Sequence, residues 1–296
     1  MFFNILLFCL IIFYILHVKC QNWTTHPAAH LLITDGSHST KDSSCSGTIL
    51  GSKYILTAAH CLFSALHCKK KNIDFSNNYD NFKIPKYGIT VEYDGGCSST
   101  KKTCPQNNAM KKIGVEKIYI HNEYIKTNCK EADLAILELN DEIGNRGIIL
   151  NTHISSLPDQ LIGFGYGYDP HYEDNTYMYQ EDFFNTVECK HDSEKRPKGT
   201  FCTDERQNNF CKGDSGAPLL LQNRTLYGVV SGGTNCNYVK KQWDGGKEES
   251  LKGNISFKVS NFINFICSIV QQDIKNPIEG CEKYIDVFNS EIFSYP

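Results

Sequence analysis

Several things are missing from this chain of 296 residues, and each absence closes a class of function. Past the first twenty positions no apolar run approaches the ~20 residues that a bilayer-spanning helix needs. Thirty Lys and Arg stand against 33 Asp and Glu, a net charge of −3, so no basic field exists to hold nucleic acid or an anionic lipid surface. Glycine and proline are sparse at 22 and 9 residues, and with 41% hydrophobic content this excludes a collagen-like or wholly disordered chain. No C-x-x-C pair occurs, and the ten histidines are scattered along the chain, which argues against zinc and thiol-redox chemistry. At about 150 residues per domain, the length allows two compact units or one large β domain.

The first twenty residues read as a leader. Ile5 to Leu16 is an apolar run of twelve, too short to cross a bilayer but right for the core of a signal peptide. Val18 and Cys20 occupy the small-residue positions before a cut at Gln21. The sequence predicts a secreted protein with residues 1–20 removed; a retained membrane anchor is the alternative. Fourteen cysteines, less Cys9 and Cys20 in the leader, leave an even twelve, so disulfides are expected. Three Asn-x-Ser/Thr triplets, at Asn22, Asn223 and Asn254, fit a secretory route and a glycoprotein.

The strongest local signal is Cys211-Lys212-Gly213-Asp214-Ser215-Gly216-Ala217-Pro218. Flanking glycines let a tight turn present the Ser215 hydroxyl, with the amides of Gly213 and Ser215 free to face a developing oxyanion. A serine hydroxyl is inert until a base takes its proton, and a carboxylate must fix that base's tautomer. No histidine follows His191, so the Ser, Asp, His order of an α/β-hydrolase cannot be built. A subtilisin-like order using Asp35 fails too, because His60 opens no His-Gly-Thr helix start. Upstream, Thr57-Ala58-Ala59-His60-Cys61 ends the apolar strand Tyr54-Ile55-Leu56, and Gly51-Ser52 turns it back on Thr48-Ile49-Leu50 as a hairpin. Asp133 opens the apolar strand Asp133-Leu134-Ala135-Ile136-Leu137-Glu138-Leu139, where an acid needs a partner. Taken singly, His60 is as readily a satisfied core histidine, Asp133 a strand cap and Gly213 to Gly216 an ordinary loop.

Together these segments, with Cys45-Ser46-Gly47-Thr48, Gly163-Phe164-Gly165, Val230-Ser231-Gly232-Gly233 and a closing helix near Ser260 to Gln272, resemble the chymotrypsin-like serine endopeptidases over roughly residues 25–270. The resemblance implies an all-β fold of two six-stranded antiparallel barrels with a C-terminal helix, the barrel boundary near 145–160, and a protease domain over 21–267 followed by a tail, 268–296. It implies His60 as base then acid, Asp133 as orienting carboxylate, Ser215 as nucleophile, Gly213 and Ser215 as oxyanion hole, and Ser231 supporting Asp133. It pairs Cys45 with Cys61, Cys189 with Cys202 and Cys211 with Cys236. Cys68, Cys97, Cys104, Cys129, Cys267 and Cys281 remain open among 15 connectivities. Protein or peptide substrates follow, a protein inhibitor is admitted as a partner, and no cofactor, nucleic acid or membrane span is implied.

Three departures matter. Seventy-three positions separate His60 from Asp133, and the stretch 64–112, with Lys69-Lys70-Lys71, Gly95-Gly96 and Lys101-Lys102, reads as an enlarged, solvated and disulfide-stapled surface loop in preference to an exosite. Deleting Cys97 to Cys104 is then expected to leave turnover unchanged. At the floor position of the specificity pocket stands Asn209, with Gly233 at the mouth and Asn254 on the wall, which predicts neutral side chains in place of Arg or Lys. No Ile-Val-Gly-Gly activation sequence follows an Arg or Lys, so Asp214, the acid that would take the new ammonium, has no evident partner. This last feature supports an alternative, a catalytically silent protease-like binding protein with a collapsed oxyanion hole.

Overall fold

The computed structural model describes residues 26–34, 43–63, 86–98, 103–153, 157–168, 178–192, 194–206, 208–247, 251–271, 277–282 and 292–295. The leader, Asn22, Asp35, Cys68 and both lysine runs lie outside the described residues.

The first barrel is built from β1 (Ala28–Ile33), β2 (Ser43–Leu50), β3 (Tyr54–Thr57), β4 (Ile89–Tyr93), β5 (Lys111–His121) and β6 (Ala135–Leu139). They run in the order β5-β4-β1-β2-β3-β6, and β6 pairs back on β5 to close the sheet. The hairpin forms as the alternation dictates, with Thr48 opposite Leu56 and Leu50 opposite Tyr54. Along β1, Ala29, Leu31 and Ile33 point into this barrel, while Ala28 joins the apolar layer shared with the second barrel. His30 lies on that second face, its ring 5.6 Å from Tyr166.

The second barrel uses β8 (Gln160–Gly165), β9 (Gln180–Val187), β10 (Thr200–Thr203), β11 (Pro218–Leu220), β12 (Thr225–Gly232) and β13 (Asn254–Lys258). Their order is β11-β8-β9-β10-β13-β12, with β12 returning to β11. Phe184, Phe201, Phe210, Leu219 and Val230 fill its interior. The expected pair of closed six-stranded antiparallel barrels is therefore present, and each carries one strand more. β7 (Ile149–Leu150) lies parallel on β12. β14 (Ile292–Tyr295), from the functionally opaque tail, pairs with Ile118 to His121 of β5. β4 reaches only Lys111 to Gly114 of that eleven-residue strand, so β14 covers an edge that β4 leaves open.

Among the described residues three α-helices accompany the barrels: α1 (Asn122–Lys126), α2 (Cys236–Asp244) and α3 (Ile263–Val270). The closing helix is shorter than the sequence predicts, since Val259–Asn261 forms a 3-10 turn ahead of it. Apolar on nearly every side, α3 buries Ile263, Phe265, Ile266, Ile269 and Val270 in the shared layer, each worth about 1.5–3 kcal/mol relative to exposure. Five disulfides join Cys45 to Cys61, Cys97 to Cys104, Cys189 to Cys202, Cys211 to Cys236 and Cys267 to Cys281. Cys129 is disulfide-bonded as well.

The segment 64–112 is not simply a wet loop where it is described. β4, one of the six barrel strands, lies within it, and Cys97 and Ser98 are fully buried. Gly95 and Gly96 let the backbone press against Met110 and Asn108, where any Cβ would collide. Gly96 O accepts from Tyr179 N at 2.9 Å, and Gly95 O accepts from the Tyr166 hydroxyl at 3.4 Å. Lysine runs and a cysteine staple resemble surface decoration in sequence; the buttress is made by backbone carbonyls that sequence does not mark. Replacing Cys97 and Cys104 by serine is expected to cost about 2.5 kcal/mol through loop closure, read as a Tm lower by roughly 5–10 °C. Deleting the loop is expected to reduce turnover. Unchanged Tm and turnover after the deletion would return this loop to mere decoration.

Candidate active site

His60 occupies the short 3-10 turn Ala59–Cys61 that follows β3, and the bridge from Cys61 to Cys45 ties that turn to β2. Thr57 pairs with Ala135, so the antiparallel register carries Asp133 to the level of the His60 turn. Asp133 Oδ1 accepts from the His60 backbone N–H at 2.8 Å, and Oδ2 lies 2.7 Å from His60 Nδ1. On the other side of the ring, Nε2 is 2.8 Å from Ser215 Oγ. Ser231 sits where the β12–β13 register shifts, and this bulge lets its hydroxyl donate to Asp133 Oδ2 at 2.6 Å. One contact chain thus runs from Ser231 through Asp133 and His60 to Ser215, across both barrels.

The two titratable members hold each other in place. Burial alone would drive the His60 imidazolium down, but the Asp133 charge and hydrogen bond outweigh it and raise His60 above its ordinary 6.5. Burial would likewise raise Asp133, yet His60 and the Ser231 hydrogen bond bring it below its ordinary 3.8. The carboxylate therefore stays ionised at neutral pH and fixes the ring proton on Nδ1, leaving the Nε2 lone pair facing Ser215.

The turn that presents Ser215 is held from both barrels. Gly213 and Gly216 take positive φ values of 107° and 87°. Ser46 N donates to Ser215 O at 2.8 Å, Ser46 Oγ donates to Gly213 O at 2.9 Å, and Gly216 N donates to Val230 O at 2.7 Å. The amides of Gly213 and Ser215 make no hydrogen bond among the described residues. A family model described as trypsin matches residues 28–242 of this chain. The chain belongs to the trypsin family. Trypsin-like protease try-5 of Caenorhabditis elegans is 26% identical over 264 residues, covering 74% of this chain and 77% of that protein. Snake venom serine protease KN13 of Trimeresurus stejnegeri is 26% identical over 210 residues, covering 65% and 68%. CLIP domain-containing serine protease B10 of Anopheles gambiae is 25% identical over 220 residues, and the chain spans 55% of its length. This trypsin-family chain is a serine-type endopeptidase.

In this trypsin-family chain a cavity of about 430 Å³ is lined by Ser215, Ser44, Lys212, Phe210, Gly233 and Thr234, among others. Asn209 lines a different cavity, of about 120 Å³, that also touches Asp214, and it donates to Cys236 Sγ at 3.1 Å. Asn254 is fully buried in β13, with Oδ1 2.4 Å from the place a Cβ on Gly233 would take. Any larger residue there would have to displace the Asn254 amide. Asp214 accepts from Gly167 N at 2.7 Å and Cys211 N at 2.9 Å, so backbone amides serve the carboxylate for which the sequence offered no evident partner. Sequence reading missed Glu205, fully buried, which accepts from Thr234 N at 2.7 Å and Gly253 N at 3.0 Å and so ties the cavity wall to β13. It missed Ser46 and Gly167 for the same reason: their roles arise from backbone contacts between distant segments.

Proposed function

We propose that this protein is a secreted endopeptidase that cleaves peptide bonds through an acyl-enzyme on Ser215, with a preference for neutral side chains on the acyl side. The observation that carries the reading is the unbroken line Asp133 Oδ2, His60 Nδ1, His60 Nε2, Ser215 Oγ, with spacings of 2.7 and 2.8 Å. Ser215 Oγ attacks the carbonyl carbon as its proton passes to His60 Nε2, and the amides of Gly213 and Ser215 take the oxyanion. His60 then gives that proton to the leaving amine as the C–N bond breaks. Water, deprotonated by His60, attacks the ester and releases Ser215.

Specificity follows from charge. Among the described residues lining the Ser215 cavity there is no carboxylate, and Lys212 is a cation. An Arg or Lys side chain would be desolvated there without a partner. Neutral side chains lying against Gly233 and Phe210 lose no such solvation. The reading also supports an oxidising destination, because all eleven described cysteines are bridged. Of the two described triplets, Asn223, exposed in the turn between β11 and β12, is open to a glycan, whereas Asn254 is buried and stays unmodified.

The test is a fluorophosphonate probe with Ser215→Ala as control, joined to paired peptide substrates. Expected are one label on Ser215 and a kcat/KM at least about tenfold lower for arginyl than for neutral acyl residues, the size of one poorly paired charge. A folded protein that never labels would favour the silent binding protein. Efficient arginyl cleavage would overturn the specificity alone.

A further inference from the structure

The outer face of the second barrel carries an apolar row that begins in the core and ends in solvent. Leu220 of β11 stands opposite Ile162 of β8, and Ile162 opposite Phe183 of β9. Residues directly opposite in antiparallel strands share a face, here the one turned away from the interior that Leu161, Phe184 and Leu219 fill. Leu220 belongs to the layer shared by the barrels and Ile162 packs against it, whereas Phe183 is 49% exposed. The other exposed large apolar side chains among the described residues, Tyr87 and Tyr238, each carry a hydroxyl that water can serve; Phe183 carries none. A single exposed apolar side chain is ordinary. This one, however, closes a groove of about 310 Å³ that Ile162, Leu220 and Leu221 also line, a volume at the small end of the ~300–1,000 Å³ typical of ligand sites.

Asn223, exposed and part of the triplet Asn223-Arg224-Thr225, lines the same groove. The turn that carries it is fixed. Leu221 N donates to Thr225 O and Arg224 N to Leu221 O, both at 2.9 Å, and Arg224 takes a φ of 67°, the three-residue hairpin loop that ends in a left-handed residue. Asn223 Oδ1 accepts from Thr225 N at 3.1 Å, which holds the side chain against its own backbone. Its Nδ2, the atom that would carry a glycan, makes no hydrogen bond among the described residues. Neighbouring strands lie about 4.8 Å apart, so Phe183 is about 10 Å across the sheet from Leu220, a reach that joined sugar rings cover. No residue lining the groove is charged, and the exposed amides of Gln160 and Gln222 stand at its edge. A pyranose matches such a surface, with a face of C–H groups for the aromatic ring and a margin of hydroxyl and acetamido groups for the amides. We propose that Asn223 is a glycosylation site whose inner N-acetylglucosamine rings lie in this groove, one of them stacked on Phe183, so that the glycan covers the apolar row. Asn223 Nδ2 attacks the anomeric carbon of a lipid-pyrophosphate oligosaccharide supplied by the secretory host; the N–C bond forms as the C–O bond breaks, and lipid pyrophosphate and an amide proton leave. The inference rests on the secretory part of the reading above and makes no use of the triad.

The full chain is produced in a secretory host that attaches high-mannose glycans, and peptide mass spectrometry fixes the occupancy of Asn223. Thr225→Ala removes the triplet, Thr225→Ser keeps it, and each is combined with Phe183→Ala. The Tm gap between Thr225→Ser and Thr225→Ala is expected to be about 2–4 °C larger with Phe183 in place than in the Phe183→Ala background, the shift that one aromatic contact gives in a domain of this size. Endoglycosidase H, which cuts between the inner rings, should trim the folded protein about fivefold more slowly than its Phe183→Ala variant, a contact of the same size read as a rate. After denaturation the two should be trimmed alike. An unglycosylated Asn223 in secreted protein would overturn the inference, as would an occupied Asn223 whose Tm gap and trimming rate ignore Phe183. A glycan-free form that sediments as a dimer, with those two readouts still indifferent to Phe183, would assign the groove to a second copy and overturn it too. Protein that never enters the secretory route would overturn the secretory reading and this inference with it. Fluorophosphonate labelling of Ser215, expected unchanged in every variant, keeps the endopeptidase reading separate from all of these outcomes.

Discussion

Asp133→Asn is expected to lower kcat by about 10⁴ while leaving the fold and the Ser215 turn in place. The hydrogen bonds dictate why. His60 N–H can only donate, so the amide oxygen must take the Oδ1 position, 2.8 Å from that nitrogen. The amide NH2 then stands where Oδ2 was, facing His60 Nδ1 and the Ser231 hydroxyl. An N–H directed at Nδ1 forces the ring proton onto Nε2, where it meets Ser215 Oγ in place of a lone pair. The base is present, correctly placed and in the wrong tautomer. Single-turnover measurements on purified variant, normalised by folded fraction, would check this. A loss below about tenfold would show that Asp133 does not set the tautomer.

The pH dependence carries a sign that can be worked out. His60 must be neutral to accept the Ser215 proton, and its folded value lies above 6.5, so kcat/KM should rise with pH along an acid limb centred above 6.5. Removing the Asp133 charge leaves burial in control and moves that limb down. Stability runs the other way for the histidine. A raised folded value makes its contribution complete below 6.5 and lost as pH rises through the folded value. The lowered Asp133 contributes above 3.8 and loses that contribution as pH falls through its folded value.

The hairpin was legible in sequence because it rests on a local pattern, two apolar runs around Gly51-Ser52, whereas the double barrel and the roles of His60, Asp133 and Ser215 came from the family resemblance; the structure brings those three side chains together. Period and turn chemistry are written in consecutive residues. The buried pair of His30 and Glu92 was not legible. His30 and Glu92 meet through the β1–β4 register, 62 positions apart, and a lone histidine between apolar residues carries no sign of its partner. The same holds for Asp214, whose charge the sequence suggested would need an ammonium. Its partners include the amides of Gly167 and Cys211, and amides are identical in every residue but proline. Missing too was β14, since four residues in a tail gain strand character only from the open edge of β5.

Gly216→Ala should be severely damaging for a single added methyl. At a φ of 87°, Gly216 already takes a conformation that costs an L side chain roughly 1–2 kcal/mol. An ideal Cβ there would lie 2.1 Å from Thr57 Oγ1, 2.2 Å from Ser46 O and 3.0 Å from Ala58 N. Neither Ser46 O nor Ala58 N can swing aside, because both are backbone atoms beside the disulfide that pins the His60 turn. Thr57 Oγ1 is held as well, donating to Ser46 O at 2.7 Å. Relief requires the ends of β2 and β3 to move away from the Ser215 turn, breaking the bond from Ser46 N to Ser215 O. Overpacking adds roughly 1–3 kcal/mol to the backbone term, and the sum is a large share of the ~5–15 kcal/mol by which domains are stable. Any folded fraction would have Ser215 displaced from His60 and fail to label. Gly232→Ala is the control for stability, because nothing lies within 4 Å of a Cβ at that position. Thermal unfolding of both variants, and fluorophosphonate labelling of Gly216→Ala against its parent, decide the matter. A Gly216→Ala protein that melts within a few degrees of its parent and labels normally would mean that the barrel seam is looser than these contacts require, and the rigid placement of Ser215 against His60 would lose its structural basis.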